Sequence, residues 1–180
     1  MIFASSRLVV RRFEPRDLAD FVSMRSDPEV ARFQSWECYS EEDGKRFLAD
    51  LAHLQPGEPG WFQFALEDRE RHLLIGDCGL NIPEHGNGVG EIGYTIARPF
   101  WNQGFATEAV KALVAYAFAS FPLHHITAAT DPGNLASRRV LEKAGFRQEA
   151  YIQRSQFLKG EWVDDVIYGM SRTGDQNREA

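Results

Sequence analysis

A glycine loop between an apolar run and an amphipathic helix is the part of the chain best suited to bind an anion. The apolar run covers residues 92–97, and Gly104 lies in the loop that follows it. Apolar side chains then recur at the spacing of one helix face, at Val110, Leu113, Val114, Ala117, Phe118 and Phe121. Backbone N–H groups converge where a helix begins, and a glycine lets an anion approach them closely. The stretch therefore predicts a phosphate site, and an ordinary strand-to-helix turn is the alternative.

Two stretches of the sequence resemble motifs of a single family. The loop Trp101-Asn102-Gln103-Gly104-Phe105-Ala106 resembles the coenzyme A pyrophosphate loop of the GNAT superfamily of N-acetyltransferases. More narrowly, residues 99–109 resemble the branch that includes the ribosomal-protein N-terminal acetyltransferases. Residues 134–146, which end in Gly-Phe, are similar to the last motif of the superfamily. Trp101 stands where the broad pattern has Gln or Arg, which costs little because main-chain amides are the binding groups. The resemblance extends to about Met170.

The resemblance implies acetyl-coenzyme A as cosubstrate and no metal. The implied cofactor-binding residues come from one strand, one loop and one helix start. They are Tyr94, Thr95, Ile96, Trp101, Asn102, Gln103, Gly104, Phe105, Ala106, Thr107 and Asn134. By the same resemblance, the strand that holds residues 94–96 splays from the strand over residues 126–130, and pantetheine pairs with the exposed backbone of the first. Asn134 would contact the cofactor arm near that gap, and helix capping is its alternative role.

Glu91 is the predicted general base. At neutral pH most of a free alkyl amine, whose pKa is roughly 8 to 10, carries a proton and is not nucleophilic. A carboxylate raised toward neutrality by partial burial, or one that acts through a water, can remove that proton. Glu91 matches a catalytic glutamate of the histone-acetylating members of the superfamily. A salt bridge to an arginine at the end of a strand is the alternative interpretation.

Ser137 is the predicted donor to the leaving thiolate. Many members of the superfamily carry a tyrosine as general acid in the closing helix, but this chain has Leu141 at that position. Ser137 lies one turn earlier on the same helix, and its hydroxyl could hydrogen-bond the developing thiolate, as is proposed for the ribosomal-protein branch. The alternative is that Ser137 only packs, as an alanine would.

The resemblance also implies the reaction, which is direct transfer of acetyl to a primary amine in a ternary complex. The branch points to a protein N-terminal α-amine as acceptor, with a polyamine or an aminoglycoside as alternatives. A non-catalytic acyl-coenzyme A binding module is an alternative of another class. The chain has no Gly-x-x-x-x-Gly-Lys motif, which argues against a nucleotide-binding enzyme of that type.

The composition indicates a globular protein with an ordinary core. The chain has 180 residues, of which 43% are hydrophobic and 26% charged. Its net charge of −6 argues against a nucleic-acid partner. No apolar run approaches the roughly 18 residues needed to span a bilayer, and the N-terminus lacks a signal-peptide pattern. Cys38 and Cys78 have neither metal nor disulfide spacing. We expect two reduced, core-type cysteines in a cytoplasmic protein without a membrane partner.

The elements around the loop predict an α/β (α+β) fold. We expect one N-acetyltransferase domain over residues 1–172 and a polar tail over 173–180. Its mixed, mostly antiparallel central sheet is splayed between strands 4 and 5 and flanked by helices. The predicted strands cover residues 8–13, 61–66, 73–80, 90–96, 124–130, 147–154 and 161–170.

Shorter signals predict the turns and helix ends. Ser40 should begin one helix and Gly145 should end another, while a hairpin turn is expected at residues 86–88. The charged residues 67–71 are expected to form a solvated turn. Residues 160–164 resemble a pattern of the branch in which the sheet often helps to form a homodimer. We therefore expect a monomer or a homodimer.

Overall fold

A computed structural model describes residues 1–85 and 87–172. Their strands are β1 (Phe3–Ala4), β2 (Leu8–Arg11), β3 (Gly60–Asp68), β4 (Leu74–Ile82), β5 (Val89–Ile96), β6 (His125–Thr130), β7 (Arg147–Leu158) and β8 (Glu161–Ser171). Their α-helices are α1 (Leu18–Arg25), α2 (Pro28–Ala31), α3 (Glu41–Ala52), α4 (Phe105–Ser120) and α5 (Leu135–Ala144). The predicted tail over 173–180, and Gly86 of the predicted hairpin turn, lie outside the described residues.

The described strands form one sheet in the order β1-β2-β3-β4-β5-β6-β8-β7. All neighbouring strands are antiparallel except β5 and β6, which are parallel. Residues 89–91 of β5 pair with residues 125–127 of β6, whereas β5 stays paired with β4 as far as Ile96. β5 and β6 therefore diverge after Glu91 and leave a gap between them.

The sequence predicts a mixed, mostly antiparallel sheet, and the structure confirms it. The first strand, β1, has only two residues and was too short for the sequence pattern to reveal. It shifts the strand count by one, so the gap expected between strands 4 and 5 lies between β5 and β6.

Hydrophobic clusters cover both faces of the sheet. Phe64 and Leu66 belong to a large cluster that includes the buried face of α4, while Ala65 between them belongs to a smaller cluster with Phe21 of α1. Successive side chains of a strand point to opposite faces, so the two clusters lie on opposite sides of β3. Helices α4 and α5 pack against each other, and Leu141 of α5 joins the large cluster.

Two helix ends behave as the sequence predicts. Ser40 accepts a hydrogen bond from the backbone N–H of Asp43, and the Asp43 carboxylate accepts one from the Ser40 backbone N–H, which completes a capping box at α3. Gly145 ends α5 with a left-handed φ of 105°, a conformation that glycine adopts without a steric penalty.

The prediction of a solvated charged turn at residues 67–71 is wrong for its first two members. Glu67 and Asp68 are the last residues of β3, and both are buried. Glu67 accepts hydrogen bonds from Arg11 and Arg16, and Asp68 accepts from the backbone N–H groups of the turn that follows. These partners lie on other elements or in the turn backbone, so a local charge pattern could not indicate the burial.

The cysteines differ from each other in environment. Cys78 is buried in the large cluster, as expected, but Cys38 is exposed, so the prediction of a core-type cysteine is wrong there. Within the described part of the chain, none of the helices combines the length and the apolar character needed to cross a bilayer.

Candidate active site

A cavity of about 790 Å³ opens at the gap between β5 and β6. Eleven of the thirteen predicted site residues line it: Tyr94, Thr95, Ile96, Trp101, Asn102, Gly104, Phe105, Ala106, Thr107, Asn134 and Ser137. Gln103 and Glu91 do not line the cavity. The structure thus brings the loop, the strand and the closing helix to one place, as the sequence analysis expects.

The loop before α4 presents backbone donors to this cavity. Gly104 is the N-cap residue of α4, with a left-handed φ of 82°, and no side chain caps the helix. The first N–H groups of a helix have no partner within the helix, so those that follow Gly104 are available to an anion. A Cβ at Gly104 would meet only the Arg7 guanidinium, at 3.5 Å. The donors and the open approach fit a pyrophosphate group.

The register of β5 determines which backbone groups face the gap. The Ala97 N–H donates to the Ile75 carbonyl on the β4 side, and the Thr95 carbonyl also lies against β4 at Gly76. Antiparallel strands alternate these directions, so the N–H and C=O of Tyr94 face the gap. The Ile96 carbonyl accepts a hydrogen bond of 2.6 Å from the Trp101 indole. Tyr94 thus offers both its N–H and its C=O to an extended chain there.

Tyr94 also joins β5 to α5 through its side chain. Its hydroxyl lies 2.8 Å from the Ser137 hydroxyl and 3.1 Å from the Ser137 carbonyl oxygen. Burial raises the pKa of Tyr94 to about 12, so the phenol keeps its proton at neutral pH. When the phenol donates to the Ser137 Oγ, the serine proton is free to reach a ligand in the cavity. The sequence analysis assigned only the backbone of Tyr94, because no local pattern links it to a residue 43 positions later.

Glu91 lies at the point where the sheet divides. It pairs with Asn81 of β4 on one side and with Thr127 of β6 on the other, and the β5–β6 pairing ends at this residue. Burial raises the pKa of Glu91, a hydrogen bond from Asn81 opposes the shift, and the charge of Asp165 adds to it. Among the ion pairs of residues 1–85 and 87–172, none involves Glu91, so the salt-bridge alternative finds no partner there.

Comparison with known proteins decides the family. The acetyltransferase (GNAT) domain matches residues 7–147, which is most of the chain. The chain belongs to the GNAT acetyltransferase family. It is 30% identical over 166 residues to the uncharacterized N-acetyltransferase p20 of Bacillus licheniformis, covering 92% of this chain and 93% of that one. This GNAT protein is an acyltransferase, and the fold and enzyme class expected from the sequence are confirmed.

Two further proteins that are similar to this chain have names that specify an acceptor amine. The [ribosomal protein uS5]-alanine N-acetyltransferase of Escherichia coli is 27% identical over 180 residues, covering 93% of this chain and 89% of that protein. The spermidine N-acetyltransferase from Vibrio cholerae, solved in complex with coenzyme A and spermine, has a TM-score of 0.78. It is 21% identical and covers 93% of this chain and 96% of that chain, so it shows the fold alone.

Asn134 caps the GNAT closing helix. Its Oδ1 accepts from the Ser137 backbone N–H at 3.1 Å, so the capping role is present, and the Asn134 Nδ2 donors remain for a ligand in the cavity it lines. Arg139 and Lys143 of α5 also line the cavity. The sequence analysis did not single them out, because basic residues on an exposed helix face carry no distinctive pattern.

The far end of the cavity lies on other elements. Glu29 and Val30 of α2 line it, together with Phe33 and Gln34 just beyond that helix. The β7–β8 hairpin contributes residues 156, 158, 159, 161, 163 and 165. Sequence patterns left these residues unassigned, because they become neighbours only when the hairpin folds toward α2, where Lys159 donates to the Ala31 carbonyl.

Three glycines in and just before β5 have the spacing of a dinucleotide-binding motif but not its geometry. Gly88, Gly90 and Gly93 have the Gly-x-Gly-x-x-Gly spacing typical of dinucleotide sites, a match that the sequence analysis did not weigh. Such sites need the glycines at a strand-to-helix turn. Here Gly90 and Gly93 lie within β5, and α4 begins only at Phe105. The spacing therefore indicates no dinucleotide site.

In the described residues, no group of three or more His, Cys, Asp or Glu is placed to hold a metal ion.

Proposed function

We propose that the protein transfers acetyl from acetyl-coenzyme A to a primary amine, with a protein N-terminal α-amine as the acceptor. The observation that carries the proposal is the gap after Glu91, which joins the α4 loop to the Tyr94–Ser137 pair in one cavity. Transfer is direct, in a ternary complex, because the amine and the thioester can meet in this gap. A ribosomal-protein acceptor would place the reaction in the cytoplasm.

The loop and β5 bind the donor. The backbone N–H groups of residues 104–107, at the start of α4, hold the pyrophosphate, and Arg139 and Lys143 supply positive charge along the same cavity. The Tyr94 backbone pairs with the pantetheine arm, and the Asn134 amide donates to it. Bound in this way, acetyl-coenzyme A supplies the thioester carbonyl that the amine attacks.

Glu91 accepts the proton of the acceptor ammonium, directly or through a water. Its half-buried carboxyl has a raised pKa, which brings it closer to neutrality and makes it a better proton acceptor than an exposed glutamate. On the other face of β5, Ser137 donates to the leaving thiolate while Tyr94 orients it.

The relative from Escherichia coli supports a protein N-terminus as acceptor, since its printed name specifies a ribosomal-protein alanine. A polyamine is the second candidate. At the far end of the cavity the carboxylates of Glu29, Glu161 and Asp165 outnumber the cations of Arg32 and Lys159, and this acidic balance suits a polycation.

Thiol release from acetyl-coenzyme A tests the proposal against a panel of acceptors. The panel holds peptides with varied N-termini, including ribosomal-protein ones, and spermidine, an aminoglycoside and free amino acids. Release that depends on a peptide N-terminus supports the proposal, and mass spectrometry would locate the acetyl group on the α-nitrogen. Release with spermidine alone would replace the acceptor by a polyamine. Tight binding of acetyl-coenzyme A without release on any acceptor would contradict the proposed reaction.

A further inference from the structure

We propose that Arg7 is a positioning residue for the donor loop, which turns the Gln103–Gly104 peptide so that its N–H faces the pyrophosphate. The inference rests on the proposed donor site and is independent of the acceptor. Arg7 lies just before β2, far from the loop in sequence, and the resemblance assigned it no role.

Arg7 makes contacts on both sides of the loop. Its Nη1 donates to the Gln103 carbonyl oxygen at 3.0 Å, and its guanidinium lies over the Phe105 ring, 4.2 Å from the ring centre. Its Nε and Nη2 donate to Glu108 Oε2, at 2.7 and 2.6 Å. The planar guanidinium is thus fixed by three neighbours at once, which a lysine could not reproduce.

Glu108 anchors this arrangement from the first turn of α4. Its Oε1 accepts from the Ser5 hydroxyl at 2.7 Å, the Ser6 hydroxyl at 2.9 Å and the Arg7 backbone N–H at 2.8 Å. Burial opposes ionisation, but these hydrogen bonds outweigh it and lower the pKa of Glu108 to about 2. Glu108 is therefore a permanent anion at neutral pH, and it neutralises the charge of Arg7.

The geometry of one peptide unit links Arg7 to the cavity. The described residues contain no cis peptide, and in a trans peptide the C=O and the N–H point to opposite sides. Arg7 holds the Gln103 carbonyl on its own side, so the Gly104 N–H points the other way. Gly104 lines the cavity and Gln103 does not, in agreement with this orientation. Because Glu108 cancels its charge, Arg7 acts by orienting a donor rather than by attracting the anion.

Donors with and without the pyrophosphate provide the test. Arg7→Met is compared with the unaltered protein on acetyl-coenzyme A and on S-acetyl-pantetheine, which lacks the nucleotide and the pyrophosphate. We expect the KM for acetyl-coenzyme A, and the dissociation constant of coenzyme A by calorimetry, to rise about tenfold. We expect kcat, and kcat/KM for S-acetyl-pantetheine, to stay within twofold. Arg46→Met, which removes an exposed ion pair with Asp43 on α3, is the matched control.

Two results would overturn the inference. One is an unchanged affinity of Arg7→Met for coenzyme A. The other is an equal loss of kcat/KM on acetyl-coenzyme A and on S-acetyl-pantetheine, which would indicate a general structural role. Failure of the unaltered protein to bind coenzyme A would instead contradict the proposed donor site. Thermal melting of each variant verifies that it folds.

Glu108→Ala separates orientation from charge. Removing a negative charge near the loop would strengthen the binding of an anion if charge alone mattered. Loss of the anchor for Arg7 should instead weaken coenzyme A binding severalfold, and binding that is unchanged or tighter would overturn the positioning role.

Discussion

The hydroxyl pair of Tyr94 and Ser137 links two elements at the place where the leaving thiolate is proposed to form. Burial raises the pKa of Tyr94 to about 12, so the phenol holds its proton well beyond the neutral range and can donate it to the Ser137 Oγ or to the Ser137 carbonyl oxygen. When the phenol donates to the Oγ, Ser137 directs its own proton into the cavity that it lines.

Tyr94→Phe should therefore reduce kcat while donor binding is retained. The change removes one buried hydrogen bond, and we expect a loss of about tenfold in kcat with the KM for acetyl-coenzyme A nearly unchanged. Ser137→Ala should reduce kcat at least as much as Tyr94→Phe does. The double variant should have the same kcat as Ser137→Ala, because the tyrosine acts through the serine. Steady-state kinetics of the three variants measures this. Losses that simply multiply would show that the two hydroxyls act separately.

Glu91→Gln should change the pH dependence of the reaction. A base works when deprotonated, so kcat/KM of the unaltered protein should fall as the pH drops through the raised pKa of Glu91. Glutamine cannot accept the proton, and we expect a loss of about a hundredfold at neutral pH. The difference in kcat/KM between the unaltered protein and Glu91→Gln should narrow toward roughly pH 10, where the acceptor amine is deprotonated without help. Calorimetry should find acetyl-coenzyme A binding unchanged. Equal activity across the whole pH range would remove Glu91 from the role of base.

At the scale of elements, a buried charge network fastens the start of the chain to the end of β3. Arg11 of β2 donates to both oxygens of Asp17 and to Glu67, and all three side chains are less than a tenth exposed. Arg16 donates to the same Glu67 oxygen from the surface. Burial disfavours the Glu67 anion, but Arg11 and its neighbours outweigh this and lower the pKa of Glu67.

Glu67→Ala should destabilise the protein much more than Glu70→Ala. The first change removes one partner of a buried arginine, which costs about 2 kcal/mol and lowers Tm by roughly 4–8 °C in a domain of this size. Glu70 is exposed, and its replacement should stay within about 0.5 kcal/mol. Chemical denaturation of both variants compares the two free energies of unfolding. Equal effects would show that the burial of Glu67 has no consequence for stability.

Helix ends and loops that a single residue determines could be predicted from the sequence. Contacts between residues that are distant in sequence could not. Ser40 and Gly145 mark helix ends through their own backbone chemistry, and Gly104 marks the loop in the same way. The Arg7–Glu108 contact joins residues 101 positions apart, and no pattern predicts it. The burial of Glu67 could not be predicted for the same reason, because it depends on Arg11, which only the fold brings near. The predicted base Glu91 and donor Ser137 stay predictions, although the fold places both beside the gap.

At the scale of the whole molecule, β7 forms one edge of the sheet and is exposed along nearly all of its length. Tyr151, Ile152, Phe157 and Trp162 are each about half exposed on this hairpin. A homodimer would cover such a surface, and a monomer would leave it to water. The expected monomer or homodimer stays a prediction, which light scattering would decide.

The sheet consists of two parts that meet at β5 and β6, where three residue pairs join them. Helix α4 packs on β1, β2, β4 and β5, while α5 packs on β6. A donor molecule in the gap would contact both parts, so binding should stabilise the whole fold. At a hundred times its dissociation constant, coenzyme A should add about 2.7 kcal/mol and raise Tm by roughly 5–10 °C.

Amide hydrogen exchange shows whether the pantetheine arm bridges the gap. Adenosine 3′,5′-bisphosphate has phosphates but no pantetheine, so it should protect the amides at the start of α4 and leave the Tyr94 amide unchanged. Coenzyme A should protect both, because the Tyr94 N–H faces the gap and pairs only with an extended chain there. Equal protection of Tyr94 by the two ligands would place the arm elsewhere. Protection by coenzyme A alone would mean that the donor completes the sheet where β5 and β6 separate.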